Sequence, residues 1–136
     1  MSSDAGSAPV KPSPWKRAED GWITLCLSDD LQEGMCKGYD LQGLGRDDVF
    51  VTRQDGRVFC YINSCPHWPQ ATLPWKKDAY LDSTKKWIMC YGHGALFTID
   101  QGLCVEGPCF GERLTAIPLR QRLGMMEIYL SNVFLL

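Results

Sequence analysis

The sequence contains two short motifs, Cys65-Pro66-His67 and Cys90-Tyr91-Gly92-His93-Gly94, each of which places one cysteine beside one histidine. Together they hold both of the histidines in the chain. Thiolate and imidazole groups are common metal ligands, so the two motifs offer two sulfur and two nitrogen donors. This spacing predicts a metal centre built from two loops, with Cys65, His67, Cys90 and His93 as its ligands.

Three interpretations of the motifs differ in what the four side chains bind. If the cysteines are ordinary buried thiols, both histidines stand beside cysteines by coincidence. Zinc also binds two cysteines and two histidines, but zinc fingers usually place the cysteines in one motif and the histidines in the other. Mixed motifs suit a [2Fe–2S] cluster in which one iron takes both thiolates and the other takes both imidazoles. The sequence therefore favours the iron–sulfur cluster, with a structural zinc module as the alternative.

Two segments flank the motifs, Arg53–Cys60 before the first and Gly107-Pro108-Cys109 after the second. With these flanks, the chain resembles the Rieske domains and Rieske-type ferredoxins from about Trp22 to Leu130. The first flank is similar to the family's hairpin that leads into the site. The second is similar to its proline loop, which covers the cluster. The resemblance implies one [2Fe–2S] cluster per chain.

Many short β-prone segments separated by Gly and Pro turns predict an all-β fold. The segments are Trp22–Leu27, Val49–Thr52, Val58–Ile62, Trp87–Met89, Ala95–Ile99, Leu103–Val105 and Met126–Leu130. Asp55-Gly56 predicts a hairpin turn between the second and the third. The resemblance specifies a Rieske-like antiparallel β-sandwich or barrel with a small cluster-binding subdomain. Residues 1–20, with many small and polar residues, are expected to form a disordered tail, and 21–136 the Rieske domain.

The resemblance also assigns roles within the site. It implies that Cys65 and Cys90 hold the inner iron, while His67 and His93 hold the outer, solvent-facing iron. Further residues are expected to surround these ligands without binding iron themselves. They are Gly94, Ala95, Phe97 and Pro108.

High-potential members of the family carry an extra cysteine in each motif loop, joined as a disulfide. They also carry a serine two residues and a tyrosine four residues after the second histidine, which donate hydrogen bonds to the sulfurs. The corresponding positions here are Gln70, Gly92, Ala95 and Phe97, none of which provides these groups. Sulfurs with fewer donors stabilise the reduced cluster less well. The site therefore resembles the low-potential class, which serves oxygenases.

Composition and cysteine usage indicate the number of domains, the class of protein and its location in the cell. A chain of 136 residues, 45% of them hydrophobic, suits one domain with a real core. A net charge of −2 gives no basic surface for nucleic acid, and no apolar run is long enough to span a membrane. The cysteines outside the motifs form no regular disulfide framework, which predicts buried free thiols and a cytoplasmic location. They are Cys26, Cys36, Cys60, Cys104 and Cys109.

Two segments leave alternatives open. The loop Trp68–Lys77 is rich in Trp and Pro, and its rings either pack over the site or form a partner-docking surface. Burial is the expectation, since large aromatic side chains are usually buried. The apolar tail Val133–Leu136 either covers the domain's own core or forms a dimer contact. We therefore expect a monomer or a weak homo-oligomer.

The resemblance implies a one-electron carrier, which passes electrons from a flavin-dependent reductase to a terminal oxygenase or a similar enzyme. The alternative is a redox or assembly subunit dedicated to one enzyme complex. A terminal oxygenase also needs a mononuclear iron held by two histidines and a carboxylate. Both histidines already stand in the cluster motifs, so the chain is expected to be an electron-transfer protein and not an enzyme.

Overall fold

The structure is a computed structural model that describes residues 20–66, 68 and 71–130. The described part contains nine β-strands and no α-helix. They are β1 (Trp22–Leu27), β2 (Cys36–Tyr39), β3 (Val49–Gln54), β4 (Arg57–Ile62), β5 (Trp87–Cys90), β6 (Ala95–Thr98), β7 (Cys104–Glu106), β8 (Leu119–Arg122) and β9 (Met125–Tyr129). Within these residues, no helix is long and apolar enough to cross a membrane.

The strands form three antiparallel sheets of three strands each, in the orders β1-β9-β8, β2-β3-β4 and β5-β6-β7. The first motif follows β4, and the second joins β5 to β6. The third sheet is therefore the small subdomain that carries half of the candidate site. The predicted all-β antiparallel fold is confirmed.

Strand β3 joins the two hydrophobic cores. Successive side chains on a strand point to opposite faces. Val49 and Val51 lie in a core with residues of β1 and β9, whereas Phe50 lies in a second core that contains Cys65 and Cys90. Because both faces of β3 are buried, its sequence is a continuous apolar run and not an alternating one. The second core thus places the candidate ligands against the centre of the domain.

The turn between β3 and β4 follows the sequence prediction. Asp55 and Gly56 have φ angles of +54° and +76°, the positive values that a two-residue type I′ hairpin turn requires. Gln54 pairs with Arg57 on either side of the turn. This tight turn fixes the register of β4 and hence the point at which the chain enters the first motif.

Strands β2 and β8 were not expected from the sequence. Strand β2 contains Gly38, a residue that usually weakens strands, at a place where a Cβ atom would overlap the Asp47 carboxylate. Strand β8 has the polar sequence of Leu119–Arg122 and pairs along its full length with β9. Both exist because a neighbouring strand supplies their backbone partners. The predicted tail over 1–20 and the segment Val133–Leu136 lie outside the described residues, apart from residue 20.

Candidate metal centre

The second motif is a tight connection between two paired strands. Cys90, the last residue of β5, pairs with Ala95, the first residue of β6. The Gly94 amide donates a hydrogen bond to the Cys90 carbonyl over 2.7 Å. Gly94 has a φ angle of +72°, a conformation that glycine adopts without steric cost. The turn therefore holds His93 close to Cys90.

Three of the four predicted ligands come together in space. One donor atom each from Cys65, Cys90 and His93 lie within 4.8 Å of one another. The Cys90 Sγ and His93 Nδ1 atoms are 3.6 Å apart. Both cysteines are buried and His93 is exposed, so the site has an inner sulfur side and an outer imidazole side. His67 lies outside the described residues.

Backbone hydrogen bonds join the two ligand loops. The Cys65 amide donates to the Ala71 carbonyl over 3.0 Å, which closes the chain after the first motif into a loop. Two residues farther on, the Leu73 carbonyl accepts a hydrogen bond of 3.0 Å from the amide of Tyr91, in the second motif. The buried Asn63 side chain accepts from the Leu73 amide over 2.9 Å. These hydrogen bonds hold the two loops at a fixed separation.

The predicted proline loop packs against the second motif. Gly107 has a φ angle of +112°, and a Cβ atom at this position would lie 2.8 Å from the Ala95 Cα atom. Such a distance is shorter than real Cβ contacts, so the loop approaches β6 closely only because residue 107 is glycine. Pro108 lies on the exposed side of this loop. Ala95 and Phe97 are buried in the same core as Cys65 and Cys90.

A model of the Rieske [2Fe–2S] domain family matches residues 21–122. The chain belongs to this family. A comparison of the sequence with curated proteins gave no match.

Solved structures share this Rieske fold. The ferredoxin of carbazole 1,9a-dioxygenase from Nocardioides aromaticivorans IC177 is 21% identical, with a TM-score of 0.62, over 81% of this chain and 98% of that one. A chain in a complex of reduced oxygenase and oxidized ferredoxin of carbazole 1,9a-dioxygenase is 22% identical, with a TM-score of 0.63. The match covers 80% of this chain and 93% of that one. The terminal oxygenase of carbazole 1,9a-dioxygenase from Novosphingobium sp. KA1 is 24% identical, with a TM-score of 0.66. The match covers 86% of this chain and 31% of the oxygenase chain.

The donors fit the [2Fe–2S] cluster that characterises Rieske domains. Burial raises the pKa of the Cys90 thiol, and its hydrogen bond with Cys65 raises it further. Two adjacent buried thiolates are therefore unfavourable without a positive charge beside them. Iron supplies that charge, because metal coordination deprotonates a thiol outright. The buried sulfur pair suits the inner iron, and the exposed His93 ring suits the outer one.

The aromatic side chains beside the Rieske site are exposed, which corrects the expectation that the rings of the Trp68–Lys77 loop are buried. Trp68 and Trp75 are 56% and 62% exposed. The Trp75 ring packs against Tyr91 of the second motif, and the two ring centroids are 6.3 Å apart. Phe110, which is 72% exposed beside the proline loop, was not expected from the sequence. Its position directly after Gly107-Pro108-Cys109 was the available signal.

We predict that the Gly107→Ala change destabilises this Rieske domain more than Gly111→Ala does. Both glycines have positive φ angles, so both variants carry backbone strain, but a Cβ atom at Gly111 meets nothing within 4 Å. The difference between the free energies of unfolding of the two variants therefore reports the contact with Ala95. We expect an overpacking cost of about 1–3 kcal/mol for this contact. Urea unfolding of the two variants measures it. Equal free energies of unfolding would show that the proline loop does not depend on this close approach.

Proposed function

We propose that this protein is a one-electron carrier that takes electrons from a flavin-dependent reductase and delivers them to a terminal oxygenase or a similar enzyme. Cys65, His67, Cys90 and His93 hold its [2Fe–2S] cluster, which supplies reversible one-electron transfer. The observation that carries the proposal is the gathering of two buried sulfur donors and one exposed imidazole within 4.8 Å, in a Rieske fold. The Rieske domain extends over 21–136 in this proposal.

The exposed imidazole side suits exchange of electrons between proteins. His93 lies at the surface, so a partner protein reaches the outer iron without rearrangement of the domain. The sulfur side lies in the core with Phe50 and Phe97, where water is excluded. The chain's own residues thus hold the cluster with its imidazole side toward the partner and its sulfur side toward the core.

The exposed aromatic rings support a docking surface around the exposed imidazole side. Trp68 follows the first motif, Trp75 contacts Tyr91 of the second, and Phe110 follows the proline loop. Large exposed aromatic side chains grouped at one site are typical of protein interfaces. Solved complexes of carbazole 1,9a-dioxygenase contain a ferredoxin and an oxygenase together, and chains with this fold occur in them.

The carrier role is favoured over a complete oxygenase by the histidine count. Both histidines of the sequence stand in the cluster motifs, so none remains for a mononuclear iron site. We place the carrier in the cytoplasm, where reducing conditions keep free thiols such as Cys60 reduced.

A kinetic experiment tests the carrier role. The protein is reduced by the flavin-dependent reductase of its own organism and then mixed with the terminal oxygenase, and the recovery of oxidised-cluster absorbance is followed. Trp75→Ala is expected to lower the second-order rate constant by about tenfold, because aromatic anchors dominate transient interfaces. Leu44→Ala, a change at another exposed apolar side chain, is the matched control.

Two results would contradict the proposal. If neither enzyme exchanges electrons with the chain, it is not a carrier between them. If the observed rate of electron transfer does not depend on oxygenase concentration because the proteins stay bound throughout turnover, the chain is a dedicated subunit of one complex.

A second prediction concerns the proposed low potential. Ala95→Ser and Phe97→Tyr would introduce the two hydroxyl donors that high-potential members possess. If each bond favours the reduced cluster by roughly 1 kcal/mol, the midpoint potential rises on the order of 40 mV per donor. Redox titration of the double variant measures the rise, and Phe59→Tyr, a half-buried ring packed against the same core, is the control. An unchanged potential in a folded variant would show that these positions do not face the sulfurs.

A further inference from the structure

Two cysteines outside the ligand set lie against each other beside the metal centre. The Sγ atoms of Cys104 and Cys109 are 3.1 Å apart, and both residues are buried. This separation is about 1 Å longer than a disulfide bond. All seven cysteines are free thiols in the structure, as the sequence predicts for the five outside the motifs. Of these five, Cys26 and Cys36 are only half-buried, so the prediction of burial fails for them.

The backbone already holds this pair in place. The Cys104 amide donates to the Glu112 carbonyl over 2.8 Å, and the Cys104 carbonyl accepts from the Gly111 amide over 2.9 Å. The Glu112 amide donates to the Cys109 carbonyl over 2.9 Å. Both ends of the loop are therefore fixed, and a small movement of the two side chains is enough to bring the sulfurs to bonding distance.

The second cysteine anchors the proline loop. Every residue from Glu106 to Arg113 except Cys109 is exposed. The Cys109 side chain points into the core that contains Cys65 and Cys90. Besides the backbone bonds at its ends, one buried thiol and the close approach of Gly107 to β6 hold the loop beside Cys65 and Cys90.

We propose that Cys104 and Cys109 form a reversible dithiol–disulfide site whose disulfide fastens the proline loop beside the cluster. The bond itself does not depend on the proposed function, whereas its effect on the cluster does. The oxidant is a low-molecular-weight disulfide such as oxidised glutathione. One protein thiol attacks it and releases one molecule of reduced thiol, and the second protein thiol then displaces the other. One protein S–S bond forms, and two protons and two electrons leave with two molecules of reduced thiol.

Peptide mapping of the full holoprotein tests the bond. The protein is incubated with oxidised glutathione, its remaining thiols are blocked, and the chain is cleaved before Asp100 and after Glu106 and Glu112. Fragment 100–106 then contains Cys104 alone, and fragment 107–112 contains Cys109 alone. The expected result is a linked pair of fragments that separates on reduction. Two separate fragments with blocked thiols would overturn the proposal.

Release of iron to a chelator tests whether the disulfide holds the proline loop beside the cluster. A disulfide that closes so short a loop disfavours its opening, so we expect cluster absorbance to decay about tenfold more slowly in the oxidised protein than after treatment with a phosphine reductant. Cys104→Ser and Cys109→Ser should each remove this difference. Cys60→Ser, a change at a buried thiol in the other core, should retain it.

The remaining outcomes separate the two parts of the account. Linked fragments with equal rates of iron release would overturn the fastening. Linked fragments in a chain that binds no iron would contradict the proposed function and the fastening together, while establishing the bond.

Discussion

The proposed metal centre depends on the burial of two neighbouring cysteine thiols. Cys65 and Cys90 come from loops far apart in the sequence, yet both are fully buried beside each other. Burial raises the pKa of the Cys90 thiol, because an apolar interior disfavours uncompensated charge. A metal centre that supplies positive charge offsets this cost. The free energy of metal binding then contributes to the stability of the fold, so cluster assembly and folding are coupled.

Backbone features elsewhere in the domain position Cys65 and Cys90. Strand β3 lies between the two cores, with Phe50 in the core of Cys65 and Cys90 and with Val49 and Val51 in the other. The amide of Tyr91 bonds to the segment after the first motif and sets the distance between the loops. Gly94 adopts the positive φ angle of the tight turn after Cys90, and Gly107 allows the proline loop to approach β6 more closely than a larger residue would. Backbone geometry thus brings Cys65, Cys90 and His93 together.

Local signals account for what could be predicted. The Asp55-Gly56 turn, most strands and the two ligand motifs depend on residues near one another in the sequence, and the structure contains that turn and those strands. Strand β8 could not be predicted, because only its pairing with β9 makes its polar sequence a strand. The exposure of Trp75 and the approach of Cys104 to Cys109 are set by loop packing, which no local pattern encodes.

The measurement that tests the account most directly is electron–nuclear double resonance on the reduced protein, produced with ¹⁵N-labelled histidine. Since the chain contains only two histidines, every labelled nitrogen belongs to His67 or His93. The account predicts a paramagnetic [2Fe–2S] cluster with strongly coupled nitrogens from both histidines. A cluster coupled to one histidine or to none, or a protein that carries zinc and gives no signal, would contradict it.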